Sequence, residues 1–135
     1  MKIFTSYYAK FRELNPYVVC VQISTSKPSW FTYAKESIPE LFPGWDLVNG
    51  IKSGNITELE YESIYKDRLK GIDKEHILSV IEEISKRNGG KDVALLCYEK
   101  PGDFCHRHFV GEWLGIEEYN HDDYIQSVID SLGRK

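Results

Sequence analysis

"KDVALLCYEKPGDFCHRHFVGEWL", residues 91–114, decides the fold. A charged pair leads into an unbroken apolar run from Val93 to Cys97. Runs without polar alternation suit strands covered on both faces, as in parallel sheets. Pro101-Gly102-Asp103 then breaks the chain. Phe109, Val110, Trp113 and Leu114 recur at helical spacing. The stretch predicts a buried strand over 92–98, then a helix over about 104–114 with Asp103 as its N-cap.

The same alternation extends outward. "YVVCVQIS", residues 17–24, reads as a second buried strand, and "KIFTSYY", residues 2–8, as a shorter one. Between them "AKFRELNP" is a loop or short helix that ends at Pro16. Thr57-x-x-Glu60 is a capping box, which opens a helix striped by Tyr61, Ile64, Tyr65 and Leu69 and closing near Gly71. Asp73 caps the next helix, whose inward face is Ile77, Leu78, Val80, Ile81 and Ile84 and which ends at Asn88-Gly89-Gly90. A last helix is expected over about 121–132. Residues 24–54, with Pro28, Trp30, Pro39, Pro43 and Trp45, read as a long irregular loop, either packed or a binding surface. Strands alternating with helices imply one α/β domain over 1–135, in three layers, with a mainly parallel sheet and helices on its faces.

Composition narrows the function classes. The chain has 135 residues, 41% of them hydrophobic, enough for a sizeable core. A net charge of −4 argues against broad, sequence-independent nucleic-acid binding, which needs a phosphate-neutralising surface. A nucleic-acid-associated module would need Arg12, Lys27, Lys35, Lys52, Arg68 and Arg107 to converge in space. No apolar run is long enough to span a bilayer. "MKIFTSYY" is not a signal peptide, and three cysteines make a poor disulfide framework. The expectation is a cytoplasmic protein with reduced thiols and no membrane partner.

The chemistry concentrates between the strand and the helix. Cys97 ends the strand, Glu99 follows, and Cys105-His106-Arg107-His108 opens the helix. Ligands of open α/β sheets bind beyond the carboxyl ends of the strands. A first helical turn offers free N–H groups to an anion, and Arg107 adds a bidentate fork. Cys105 is then the candidate nucleophile, with His106 or His108 as base and Glu99 as general acid or base. A helix starting at 104 places His108 on the face of Cys105, about 100° from His106, unless His106 turns back over the helix end. Trp30 is available to stack on a base. The plainer alternatives are that Cys97 is core, that Arg107 and Glu99 pin the loop, and that Cys20 is core. Zinc is not expected, because seven residues separate the thiols and no fourth ligand is near. A Cys97–Cys105 disulfide is compatible as a redox state, although the spacing is not of the thioredoxin type.

At these residues the chain resembles the bacterial family called domain of unknown function 488. Cys97, Glu99, Cys105, His106 and Arg107 match its pattern of strand, Cys-x-Glu, turn, Cys-His-Arg and amphipathic helix. "IFTSYYAKFREL", "VVCVQIS" and "KPSW" are similar to one branch of it, so the resemblance covers about residues 2–115. It implies a compact α/β domain with a parallel-type sheet. Many relatives carry Asp-Val-Arg after the second strand. Here the stretch is "VQISTSKP", so Ser24, Ser26 and Lys27 stand where those side chains would act. The resulting expectation is an enzyme or ligand-binding domain for a small anionic ligand of phosphate or nucleotide type. Its catalytic set is Cys105, His106 and Glu99. Arg107, Cys97, His108, Ser24, Lys27 and Trp30 line the ligand, and no metal or cofactor is needed. The alternatives are a nucleic-acid module and a thiol redox or metal sensor.

Overall fold

A computed structural model describes residues 1–14, 16–29, 36–98 and 104–133. Among the described residues, four strands form one parallel sheet: β1 (Ile3–Tyr7), β2 (Val18–Gln22), β3 (Asp92–Cys97) and β4 (Glu117–Glu118), in the order β2-β3-β1-β4. The apolar run of the opening stretch is thus a central strand. Val93 to Cys97 are all buried, because side chains of both parities meet a covering layer. Val93 and Leu95 enter one hydrophobic cluster and Ala94 and Leu96 the other.

Helices α1 (Phe11–Leu14), α2 (Trp45–Ser53), α3 (Glu58–Lys70), α4 (Lys74–Arg87), α5 (Arg107–Leu114) and α6 (His121–Gly133) supply those layers. α2 to α5 cover the face of Val93 and Leu95, while α1 and α6 cover the face of Ala94 and Leu96. The three-layer α/β expectation therefore holds. α3 starts at Thr57 by the capping box, with both hydrogen bonds at 3.1 Å. Asp73 caps α4. On α4, Ile77, Ile81 and Ile84 are at most 1% exposed, and burying each stabilises by about 1.5–3 kcal/mol.

The connections explain where a crevice forms. From β1 the chain crosses to β2 by the α1 layer. From β3 it travels the other way, to β4, by the α5 layer. Opposite directions on opposite faces give all crossovers one hand. The chain therefore leaves the neighbouring strands β1 and β3 toward opposite faces, the arrangement that opens a crevice at carboxyl ends. Tyr7 and Cys97 are register partners there.

Two sequence expectations need correction. Residues 24–54 are not one loop. A 3-10 turn spans Pro39–Leu41, Ser37 bridges to Gln22 beside β2, and α2 occupies Trp45–Ser53. Leu47 and Ile51, one turn apart, turn α2 toward the core, and Gly54 ends it at φ 78°. The second correction concerns α5, which begins at Arg107 rather than 104, with His106 in the N-cap position. The expected cap, Asp103, lies outside the described residues.

Candidate functional site

The site is built from the carboxyl ends of two strands and the turn before α5. Beyond β2 the chain runs on through Ile23, whose N–H donates to the Leu96 carbonyl at 3.2 Å. The carbonyl of the same Ile23 accepts from His106 Nε2 at 2.7 Å. One residue thus ties the ends of β2 and β3 to the turn at 104–106. A carbonyl can only accept, so Nε2 carries the proton and Nδ1 of the neutral ring keeps its lone pair. Nδ1 faces Cys105 Sγ at 3.9 Å. Burial, chiefly, pulls the His106 pKa down to about 4, with Arg107 and His108 adding repulsion.

Cys97, buried at the end of β3, meets Cys105 from the turn, and the two are joined as a disulfide. The expectation of reduced thiols is met, among the described residues, only at Cys20. That residue is core, as expected, and burial pushes its thiol up to about 12. The two sulfurs and a His106 ring nitrogen lie within 4.8 Å of one another, a donor set that could hold a metal ion once the disulfide is reduced.

A cavity of about 490 Å³ opens onto this cluster. Val48 and Ile51 of α2, Tyr61 of α3 and Phe104 form its apolar wall, Ser24, Thr25 and Ser26 a polar rim, and Lys52 its cationic edge. Thr25 Oγ1 accepts from Gly44 N–H at 2.9 Å, which fixes the rim to the start of α2. Arg68 of α3 holds the same corner through the Pro43 carbonyl at 2.6 Å and Asp46 at 2.5 Å. Behind His106, Tyr65 stacks edge-on at 5.4 Å and donates its hydroxyl to the Leu41 carbonyl at 2.6 Å.

The structure brings together Cys97, Cys105, His106 and Ser24 around this cavity. Ser24 Oγ also pairs with Tyr8 OH at 2.6 Å and bonds the Ser26 carbonyl. His108 is exposed on α5, so His106, not His108, is the imidazole beside the thiol. The physical reason is the later helix start: the turn at 104–106 folds the His106 ring back toward Ile23. Arg107 also departs from expectation. Its side chain is 0% exposed, ion-paired to Glu118 at 2.9 Å and stacked over Tyr7 at 5.4 Å. It is not part of the cavity wall. Lys27 is exposed and likewise outside the wall. Glu99 and Trp30 fall outside the described residues. Of the cations named for a nucleic-acid surface, Arg107 is buried, Arg68 is paired with Asp46, and Lys35 falls outside the described residues.

The sequence expectations did not include Val48 and Ile51 in the site and named Lys52 only as a surface cation, because α2 was expected to be loop. Their signal was present in the spacing of Leu47 and Ile51 before Gly54. The Ile23 carbonyl had no side-chain signal at all. No described helix is long and apolar enough to cross a membrane. A family model described as the active DUF488-N3 subclade matches residues 11–118. No curated protein and no solved structure matches the chain.

Proposed function

The chain belongs to the active DUF488-N3 subclade of the DUF488 family, and from that premise we propose that it is a thiol-centred enzyme acting on a small anionic ligand held in the cavity. The observation that carries this reading is the 2.7 Å contact between His106 Nε2 and the Ile23 carbonyl, which sets the tautomer. The Nε2–H is committed to the Ile23 carbonyl, which leaves an unprotonated Nδ1 facing Cys105 Sγ. Nucleophile, base and orienting group form the sequence that nucleophilic catalysis requires. In the reduced protein the S–H proton passes to Nδ1 as sulfur attacks, and returns from Nδ1–H to the leaving group. His106 rests neutral, so it acts during the attack and holds no standing thiolate–imidazolium pair. Cys97, one bond away in the oxidised form, is the resolving partner that shuts the nucleophile off.

Ligand class follows from the wall. The volume lies within the roughly 300–1,000 Å³ of small-molecule sites. Tyr61 and Phe104 offer faces for a planar ring, and Lys52 with the Thr25 hydroxyl offers charge and a donor for phosphate or carboxylate. Arg107 is buried behind the wall. Its role is to hold α5 to the strand Glu117–Glu118.

Thermal melts of the reduced protein with inorganic phosphate, nucleotides and phosphorylated metabolites test the reading. At a hundredfold excess over Kd, a true ligand raises Tm by on the order of 10 °C. Lys52→Ala is expected to abolish most of that rise. A panel in which no compound moves Tm sinks the proposal.

A further inference from the structure

We infer that the reduced Cys97–Cys105–His106 cluster is a three-ligand site for a divalent cation of the zinc class, with its fourth coordination position facing the cavity. This goes beyond the thiol reading, since a cation engages the sulfur lone pair that attack requires.

The donors converge from two segments, the end of β3 and the turn before α5, with the His106 ring anchored on the exit from β2. All three residues are at most 5% exposed. Tetrahedral zinc, with Zn–S near 2.3 Å and Zn–N near 2.0–2.1 Å, puts sulfur and nitrogen about 3.6 Å apart and two sulfurs about 3.8 Å apart. The Sγ–Nδ1 separation is 3.9 Å. The Cα atoms of Cys97 and Cys105 stand 7.2 Å apart, wider than the roughly 4.4–6.8 Å that disulfides usually bridge. Once reduced, the sulfurs have room to part by the amount a shared ion needs.

Two further observations specify the ion. His106 donates its second ring N–H to a backbone carbonyl at 2.7 Å, the outer contact that fixes the tautomer and ring angle of ligating histidines. Two thiolates and a neutral imidazole sum to −2, so a divalent ion gives a neutral assembly in a buried place where uncompensated charge is costly. Thiolate and imidazole donors favour zinc over magnesium or calcium. The spacing argument against zinc applies to closed knuckles with four ligands. An open site with three protein ligands is not bound by it. All three ligand residues also line the cavity, so a water or an anionic ligand group completes the sphere there.

Cobalt(II) titration of the full chain, phosphine-reduced and stripped with chelator under argon, tests the site. The expected result is one equivalent bound, with thiolate-to-cobalt charge-transfer absorption and the strong visible bands of four-coordinate cobalt, all displaced by zinc. Hydrogen peroxide takes two electrons from the thiols to form the disulfide, becomes two waters, and erases the spectrum. Cys97→Ser and His106→Gln each weaken binding by at least about tenfold to a hundredfold, while Cys20→Ser leaves it unchanged. X-ray absorption of the zinc-loaded wild type, which needs no variant, is expected to show two sulfurs and one imidazole nitrogen. Absence of charge-transfer absorption at one equivalent, or a site indifferent to Cys97→Ser, overturns the inference. Alkylation of Cys105 in metal-free protein separates the two readings. Fast, His106-dependent alkylation without a cobalt spectrum leaves the thiol reading and removes the metal. A cobalt spectrum with an unreactive metal-free Cys105 does the reverse.

Discussion

Replacing His106 by Gln removes one titration while keeping an amide N–H for the Ile23 carbonyl. The consequence is measurable as stability against pH. In the folded chain the His106 pKa is lowered to about 4, burial being the largest cause. In the unfolded chain it returns to about 6.5. Because the folded value is depressed, the unfolded state binds more protons between those limits. The contribution of His106 is therefore complete above about pH 6.5 and is lost as pH falls toward 4. At 1.36 kcal/mol per pH unit, the loss is about 2 kcal/mol by pH 5 and about 3 kcal/mol by pH 4. Other groups destabilise in acid as well. Glu36 and Asp46 are held low by Arg87 and Arg68 respectively. Those terms are shared by both proteins, so the informative quantity is the difference between them. Urea unfolding of reduced, metal-free wild type and His106→Gln at pH 7, 6, 5 and 4.5 provides it. The wild-type advantage is expected to shrink by about 2 kcal/mol between pH 7 and 5, with m-values unchanged. A difference that stays flat across this window refutes a buried, neutral His106.

Three further outcomes follow from the same geometry. Arg107→Met keeps much of the buried volume but deletes the pair with Glu118, whose side chain is 35% exposed and can turn to water; equilibrium unfolding is expected to register a loss of about 2–3 kcal/mol, with ligand affinity per folded molecule unchanged. Thr57→Ala removes the 3.1 Å bond to Glu60 N–H and is expected to cost about 1 kcal/mol in urea melts. Cys20, pushed up to about 12 by burial, is expected to resist iodoacetamide in the folded reduced protein and to react only on unfolding, as peptide mass spectrometry will report.

The strands and the helices α3 and α4 were readable because each carries its own period. Val93 to Leu96 and Val18 to Val21 spell out strands covered on two faces. Thr57, Glu60 and Asp73 announce helix starts in side chains that the structure uses for that purpose. α2 was obscured because Pro39, Pro43 and Gly44 just before it read as irregular chain, although Leu47 and Ile51 carry the helical spacing. Of the expected site residues, Cys97, Cys105, His106 and Ser24 meet at one cavity. The difference from the expected arrangement lies at one helix boundary. Starting α5 at 104 puts His108 beside Cys105, whereas starting it at Arg107 sends Arg107, Val110 and Gly111 inward together. The same shift buries the guanidinium expected to meet an anion. The contact that orients His106 joins residues 83 apart in sequence, and its acceptor is a backbone carbonyl that no residue type announces.

Thiol attack and cation binding both require one proton arrangement: Nε2–H bonded to Ile23 and a bare Nδ1 toward Cys105. Long-range proton–nitrogen correlation spectra of histidine-labelled, reduced, metal-free protein, assigned by comparison with His106→Gln, read that arrangement directly. His106 is expected to be neutral, with protonated Nε2 and unprotonated Nδ1, from pH 7.5 down to about 5. A ring that carries its proton on Nδ1, or that titrates near 6.5, contradicts it.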